Sequence, residues 1–315
     1  MTENTPTKQP LLLLEPLPEP TLEILGQYFT IHPFSDMEAL KVIAPSIRAI
    51  ATGGSYGVRP DVMAALPNLE IIAVNGVGLD KIDLTEAKRR NIRVTVTTDI
   101  STNDVADMAM LLLLALKRNL RSNEQFLTEG QWATGKLPPL AHSLNGRKLG
   151  IAGFGRIGQA VARRAQASDM EVAYFNPRPR TESPLRFEPD LLKLASWADV
   201  LVITLPATPA TKHIINNDVL TALGKEGALI NTARGSVIDE DALLDALKNK
   251  KIAGAGLDVF QNEPTINPAF FALENVVLQP HQASATVETR LAMGQNIIDN
   301  LLAHFSGKPL LTPAC

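Results

Sequence analysis

The chain has 315 residues, 45% of them hydrophobic and 20% charged, and a formal net charge of −3. That length exceeds one ordinary domain, and the composition supplies enough apolar material for a sizeable core, so two globular domains are expected. The acidic balance speaks against nucleic acid or a membrane surface as partner, because neither attracts such a chain non-specifically. In chain order, MTENTPTKQPLLLLEP lacks a basic leader and carries only four consecutive leucines, so no signal peptide and a cytoplasmic location are expected. LLLLE reads as a strand, residues 21–28 as a helix, and AIATGG, LEIIAVNG and IRVTVT as further strands of a smaller α/β domain. The longest apolar stretch, 105–116, includes Asp107 and would reach only about 18 Å as a helix, which fits a buried helix and not a membrane span.

From residue 148 the alternation becomes regular. KLGIAG (148–153) is an apolar strand, followed by a Gly-rich turn and a helix from Ile157 to about Ser168. EVAYF (171–175) is the next strand, and PRPRTESP (177–184) a surface loop after it. A helix near 190–198 leads to the strand VLVITLP (200–206). ALINTA (228–233) is another strand, and DEDALLDALKNK (239–250) is an amphipathic helix that opens with acids favouring its N-terminus. IAGAGLDV and VVLQP add two strands, and TVETRLAMGQNIIDNLLAHF (286–305) is a helix expected to return to the first domain. Such alternation with largely uncharged strands implies parallel sheets covered on both faces. The expected fold is therefore α/β, two doubly wound parallel-sheet domains, with residues 102–287 inserted into a discontinuous domain made of 1–101 and 288–315. The one cysteine, Cys315, leaves no intramolecular disulfide and no thiolate metal site, and is compatible with a reducing compartment. The five histidines are scattered without a His-x₃-His pair, so no metal site is expected.

Gly153, Phe154, Gly155, Arg156, Ile157 and Gly158 form G-x-G-x-x-G between a strand and a helix. The first glycine suits a tight turn, the second close approach of a pyrophosphate, and the third close helix–strand packing, with helix N–H groups offered to the phosphates. A plain structural turn or a mononucleotide site is the alternative. The adenosine ribose is expected about 20 residues on. An acid would favour unphosphorylated ribose there, but the chain has Asn176, Arg178 and Arg180. This points to NADP(H), with NAD(H) possible; a solvated arginine loop is the other reading.

Three later segments place polar residues at strand ends, where open α/β sheets bind ligands. NTARGSVIDEDAL (231–243) carries Arg234, GLDVFQNEP (256–264) carries Asp258 and Glu263, and VVLQPHQASAT (276–286) carries His281. Singly, each could be an ordinary surface charge or loop histidine. In this order behind G-x-G-x-x-G, they resemble the D-isomer-specific 2-hydroxyacid dehydrogenase family, over roughly residues 74–290. The resemblance implies a Rossmann-type cofactor domain inserted in a smaller flavodoxin-like substrate domain. It also implies that Arg234 binds the substrate carboxylate and polarises the 2-oxo group, that Glu263 hydrogen-bonds the histidine, and that His281 donates the proton. The chemistry agrees. Hydride delivery to a carbonyl develops an alkoxide that needs a proton donor and a positive charge, and arginine's fork matches a carboxylate.

The same resemblance implies that backbone N–H groups of Val77 and Gly78, in VNGVGLDKID (74–83), hold the substrate carboxylate. It places Thr102 near the nicotinamide, Asp258 at its carboxamide, Leu205 and Pro206 at the adenine, and Thr232 and Ala233 among the cofactor contacts. The long helix after Asn103, continuing through GQWATGK (130–136), resembles the family's dimerisation arm, with Trp132 reaching toward a partner; a homodimer is expected. Ala283 stands where many relatives have glycine. Within the family, glyoxylate/hydroxypyruvate reductases are the nearest in length and in the arginines after the second strand, so reduction of a small 2-oxo acid is the expected activity. Other dehydrogenases of the family (phosphoglycerate, phosphite or bulkier 2-oxo acids) and a nicotinamide-sensing corepressor-like protein are the alternatives.

Overall fold

A computed structural model describes residues 8–314; MTENTPT and Cys315 lie outside the described residues. The chain divides into two compact units, one made of residues up to Ser101 together with those from Ala285 on, the other Thr102–Ser284. The crossing back therefore falls after residue 284, where the sequence suggested 287. The reason is local: Thr286 already caps the returning helix, its side chain accepting from Thr289 N–H.

The first unit runs β1 (Gln9–Leu13), α1 (Glu19–Tyr28), β2 (Phe29–Pro33), α2 (Met37–Ile43), β3 (Ala49–Gly53), α3 (Pro60–Ala65), β4 (Ile71–Asn75), α4 (Leu84–Arg89) and β5 (Arg93–Thr95). The strands are parallel in the order β2-β1-β3-β4-β5, the flavodoxin-like winding. Successive strand residues point to opposite faces, and here both faces are buried. Leu11, Leu13, Ala49, Ala51, Ile71 and Ala73 pack in one layer, and Leu12, Ile50, Ile72 and Val94 in the other. β2 and the helices α2, α3 and α4 were not foreseen from the sequence. The helices have only six or seven residues, too few turns for a helical period to show, and FTIHP carries a histidine and a proline that blur its strand pattern.

The second unit continues with α5 (Thr102–Lys117), α6 (Leu120–Thr128), β6 (Lys148–Ala152), α7 (Arg156–Ala167), β7 (Glu171–Phe175), β8 (Arg186–Phe187), α8 (Leu191–Trp197), β9 (Val200–Ile203), α9 (Asn217–Leu223), β10 (Ala228–Asn231), α10 (Glu240–Lys248), β11 (Gly254–Leu257) and β12 (Val276–Leu278). Its seven strands are parallel in the order β12-β11-β10-β9-β6-β7-β8. The order reverses between β6 and β9, the Rossmann-type switch point at whose carboxyl side ligands bind. Leu201, Ile203, Leu229 and Leu257 pack in one layer, and Leu149, Ile151, Val200, Val202 and Ile230 in the other.

One expectation is corrected. The helix after Asn103 is not continuous through 130–136: Asn119 takes a left-handed conformation, φ 53°, which ends α5 and starts a separate α6. A short 3₁₀ turn, Trp132–Thr134, then follows. Asparagine tolerates that region better than most residues, its short amide bonding locally, and so makes a natural stop.

The last helix, α11 (Val287–Phe305), belongs to the first unit. It buries Ile297, Ile298 and Leu301 against Leu11 and Ile71. Beyond it, buried Asn300 accepts from Leu311 and Thr312 N–H, and Thr95 pairs antiparallel with Pro313. Among the described residues no helix is long and apolar enough to cross a membrane, and no group of histidine, cysteine and acidic side chains could hold a metal ion.

Candidate active site

The glycine motif turns between β6 and α7. Gly153 has φ +99°, and a Cβ there would lie 2.7 Å from Leu205 N and 2.8 Å from the Thr204 carbonyl carbon. Gly158 is equally constrained, since a Cβ would fall 2.3 Å from Gly153 O. At Gly155 nothing lies within 4 Å, so the middle of the turn opens to a ligand while its two ends are pressed against protein. No side chain caps the start of α7, whose first N–H groups suit a phosphate. Phe154 stacks on Tyr174 with ring centroids 4.0 Å apart, fixing the turn on β7. Ile157 packs against the core beneath, and Arg156 opens the helix. Leu205 is buried and Pro206 exposed just past β9, and Thr102 begins α5. Thr232 is buried, with a hydroxyl lacking a partner among the described residues. A buried unpaired hydroxyl is costly, and a bound nucleotide would satisfy it. These features fit a dinucleotide.

After β7, Asn176 is half-buried: its Oδ1 accepts from Phe154 N–H (3.4 Å) and its Nδ2 donates to Arg178 O (3.0 Å). Arg178 and Arg180 are exposed. The Arg180 backbone is also tied down, its N–H donating to the Tyr174 hydroxyl at 2.8 Å.

The turns after β10, β11 and β12 meet at the other half of the same sheet edge. His281 Nδ1 lies 2.7 Å from Glu263 Oε2. An ionised carboxylate can only accept, so Nδ1–H is the donor, which sets the tautomer. Oε1 of the same carboxylate accepts from Phe260 N–H at 2.8 Å. Burial works against ionised Glu263, but the hydrogen bond and charge of His281, helped by Phe260 N–H and Arg234, outweigh it and hold the carboxyl below its usual range. Asp258 goes the other way. Burial pushes its carboxyl up, and the N–H groups of Gln282 and Ala283 offset this only in part. Opposite displacement of two neighbouring carboxyls is a mark of acid–base sites.

His281 itself sits at φ +55°, an uncommon conformation for a side-chain-bearing residue that needs support from its surroundings. Asp258 supplies it. Its carbonyl accepts from His281 N–H (2.8 Å), and its carboxylate accepts from Gln282 N–H (2.7 Å) and from the N–H of buried Ala283 (3.0 Å). Arg234 follows β10 with Nη1 donating to Ala233 O at 2.8 Å. Gly235 beyond it abuts the next turn so closely that a Cβ would lie 2.0 Å from the Phe260 carbonyl carbon.

Arg234, Asp258, Glu263 and His281 thus lie in one unit, on adjoining turns. Val77 and Gly78 lie in the first unit, on the loop after β4. There Gly76 has φ +151° and a Cβ on Gly54 would lie 3.2 Å from Gly78 O. Trp132 is 64% exposed on its 3₁₀ turn. Two residues escaped the sequence reading, Asn231 at the end of β10 and Thr204 after β9, whose hydroxyl donates to Gly153 O. The available signal was a single polar residue closing an apolar run.

Residues 110–283 match the family described as D-isomer specific 2-hydroxyacid dehydrogenase, NAD binding domain. A 2-ketogluconate reductase of Gluconobacter oxydans is 55% identical over 307 residues, covering 98% of this chain and 99% of that protein. Glyoxylate/hydroxypyruvate reductase A of Arabidopsis thaliana is 45% identical over 268 residues, 85% of each chain. The structure of an NADPH-dependent glyoxylate/hydroxypyruvate reductase from Sinorhizobium meliloti, in complex with NADP and malonate, superposes with TM-score 0.91 at 40% identity, covering 98% of this chain and 97% of the other.

Proposed function

The chain belongs to the D-isomer specific 2-hydroxyacid dehydrogenase family, and from that premise we propose that it is an NADP(H)-preferring reductase of small 2-oxo acids, acting on glyoxylate and hydroxypyruvate and yielding the D-2-hydroxy acid. The observation that carries the reading is the His281–Glu263 pair at 2.7 Å, beside Arg234 in a unit whose glycine turn fits a dinucleotide. A bound reduced nicotinamide would supply hydride to C2 of the 2-oxo acid. The residues do the rest. Arg234 binds the carboxylate and draws electron density from the 2-oxo group, through charge-assisted hydrogen bonds. Glu263 orients the imidazole by accepting from Nδ1–H. Nε2 of His281 is then the atom that delivers a proton to the developing alkoxide. Thr102, Thr232, Ala233 and Asp258 are assigned to the nicotinamide side, Leu205 and Pro206 to the adenine, and Arg178, with Arg180, to a 2′-phosphate. In the first unit, the proposed substrate domain, the backbone N–H groups of Val77 and Gly78 are assigned to carboxylate binding.

The cofactor preference is supported by the neutral Asn176, by the two exposed arginines after it, and by the NADP in the Sinorhizobium structure. The 55% identity to a 2-ketogluconate reductase favours a second reading, in which a longer hydroxylated 2-oxo acid is preferred. Initial rates with glyoxylate, hydroxypyruvate and 2-ketogluconate, each with NADPH and NADH, separate the readings. The highest kcat/KM on glyoxylate or hydroxypyruvate with NADPH is the expected result; turnover of none of them defeats the assignment. Leu111, Leu114, Leu120, Leu127 and Trp132 expose apolar surface along α5, α6 and the turn after them, which supports a homodimer. Light scattering should give twice the 34.0 kDa chain mass.

A further inference from the structure

We propose that Asn231 is a positioning residue for Arg234, setting the backbone from which the guanidinium reaches substrate; this rests on the role given to Arg234 above. Asn231 closes β10 after Ala228, Leu229 and Ile230, and it is completely buried (0% exposed). An amide without partners is expensive there, so where its bonds go is informative. Oδ1 accepts from Ala233 N–H at 3.0 Å, and Nδ2 donates to Arg234 O at 3.0 Å. The side chain therefore grips the turn on both sides of the Arg234 Cα, the N–H of the residue before and the carbonyl of Arg234 itself.

The far side of the turn is also fixed. Arg234 is extended (φ −145°, ψ 147°), and Gly235 is held against the Phe260 backbone, with no room for a Cβ. Phe260 N–H in turn binds Glu263. Asn231 also accepts, through its own carbonyl, from Asp258 N–H at 3.0 Å. The side-chain amide therefore holds the arginine turn from the same strand end whose backbone bonds Asp258. An asparagine needed only to end a strand would require one of these bonds. Two, bracketing a single residue, fix where that residue starts from, and a displacement of about 1 Å at a binding group can cost on the order of 10²-fold in rate.

The test is a double-mutant cycle between Asn231→Ala and Arg234→Ala, with KM for the 2-oxo acid, KM for NADPH, kcat and melting temperature measured for each. Asn231→Ala should raise KM for the 2-oxo acid about 10- to 100-fold while leaving KM for NADPH within about twofold. In the Arg234→Ala background the same substitution should change KM no further. A lowered melting temperature with both KM values unchanged, or an effect that adds fully to that of Arg234→Ala, overturns the proposal. Should Arg234→Ala leave the 2-oxo acid kinetics untouched, the role of Arg234 itself fails, which is a different result. Asn231→Asp keeps the acceptor for Ala233 N–H and loses the donor to Arg234 O, and it should give the same KM signature if the alanine variant does not fold. If neither folds, amide exchange in the wild type decides. The Ala233 N–H, though in a turn, must exchange as slowly as those of β10, and fast exchange there overturns the proposal.

Discussion

The carboxyl edge of the second sheet is built in two manners. After β10, β11 and β12 the turns are bonded from beneath: Asn231 and Asp258, both fully buried, hold the chain around Arg234 and His281. After β7 the loop 177–184 stands in solvent, tied at its base by Asn176 and the Tyr174 hydroxyl, with Arg178 and Arg180 extended from it. The difference fits what the proposed function would ask of each part. Proton transfer and carbonyl polarisation depend steeply on distance and angle. A phosphate is recognised by charge, and a long arginine side chain can find it from several backbone positions. Hydrogen bonds to buried side chains are thus concentrated on the side proposed for the chemistry and sparse on the side proposed for the phosphate.

The sharpest way to break that contrast is His281→Ala. It should lower kcat by roughly 10²–10⁴, the range for a lost general acid, while NADPH binding, followed by fluorescence titration, is retained. A near-normal kcat would remove the proton donor from the bonded side and leave no chemical reason for its rigidity. Next in size is Arg178→Ala on the open side. One charge-assisted contact is worth about 1.5–3 kcal/mol, so KM for NADPH should rise about 10- to 100-fold with kcat nearly unchanged. Because the arginine is exposed, high salt should mimic the variant in part, whereas it should have little effect on the His281–Glu263 pair. Wild-type kcat/KM equal or better with NADH would return the loop to a plain solvated surface.

The smallest effect is a titration. Glu263 is held below its usual range, so its ionised form stabilises the folded state; that contribution is complete above the ordinary glutamate range and is lost as pH falls through the folded-state value. Asp258, pushed up by burial, contributes with the opposite sign, its share lost as pH rises. Glu263→Gln should therefore flatten the acid-side fall in melting temperature measured by calorimetry. An unchanged slope would mean that the His281 contact does not persist in solution.

Much of this was legible in the residues. The glycines were readable because a strand precedes and a helix follows them, whereas Arg234, Glu263 and His281 stood out only together, as three ordered segments behind the glycines that resemble the family. What was not legible depends on contacts made after the chain has folded. Asn231 looks like any polar residue ending a strand until its amide is seen to span Ala233 and Arg234. Asp258 gives no sign in the sequence that its oxygens also take Gln282 and Ala283 N–H and so hold the turn of His281. The break at Asn119 hides inside a sequence of good helix formers, because one left-handed residue leaves little trace in an apolar period. α2, α3 and α4 are too short to show one, and their packing against Leu12, Ile50 and Ile72 holds them.

The return of α11 to the first unit fixes an order of events during synthesis. The strands β1 to β5 leave the ribosome first, yet the flank formed by Leu11, Ala49 and Ile71 lacks Ile297, Ile298 and Leu301 until nearly the whole chain has been made. Thr102–Ser284, by contrast, is uninterrupted and has all its core residues as soon as its last strand emerges. Domains generally fold as units in order of emergence; here the sheet that is laid down first is the one completed last, and the part of its apolar side that α1 leaves bare is the surface that the nascent chain must shield while the second sheet forms.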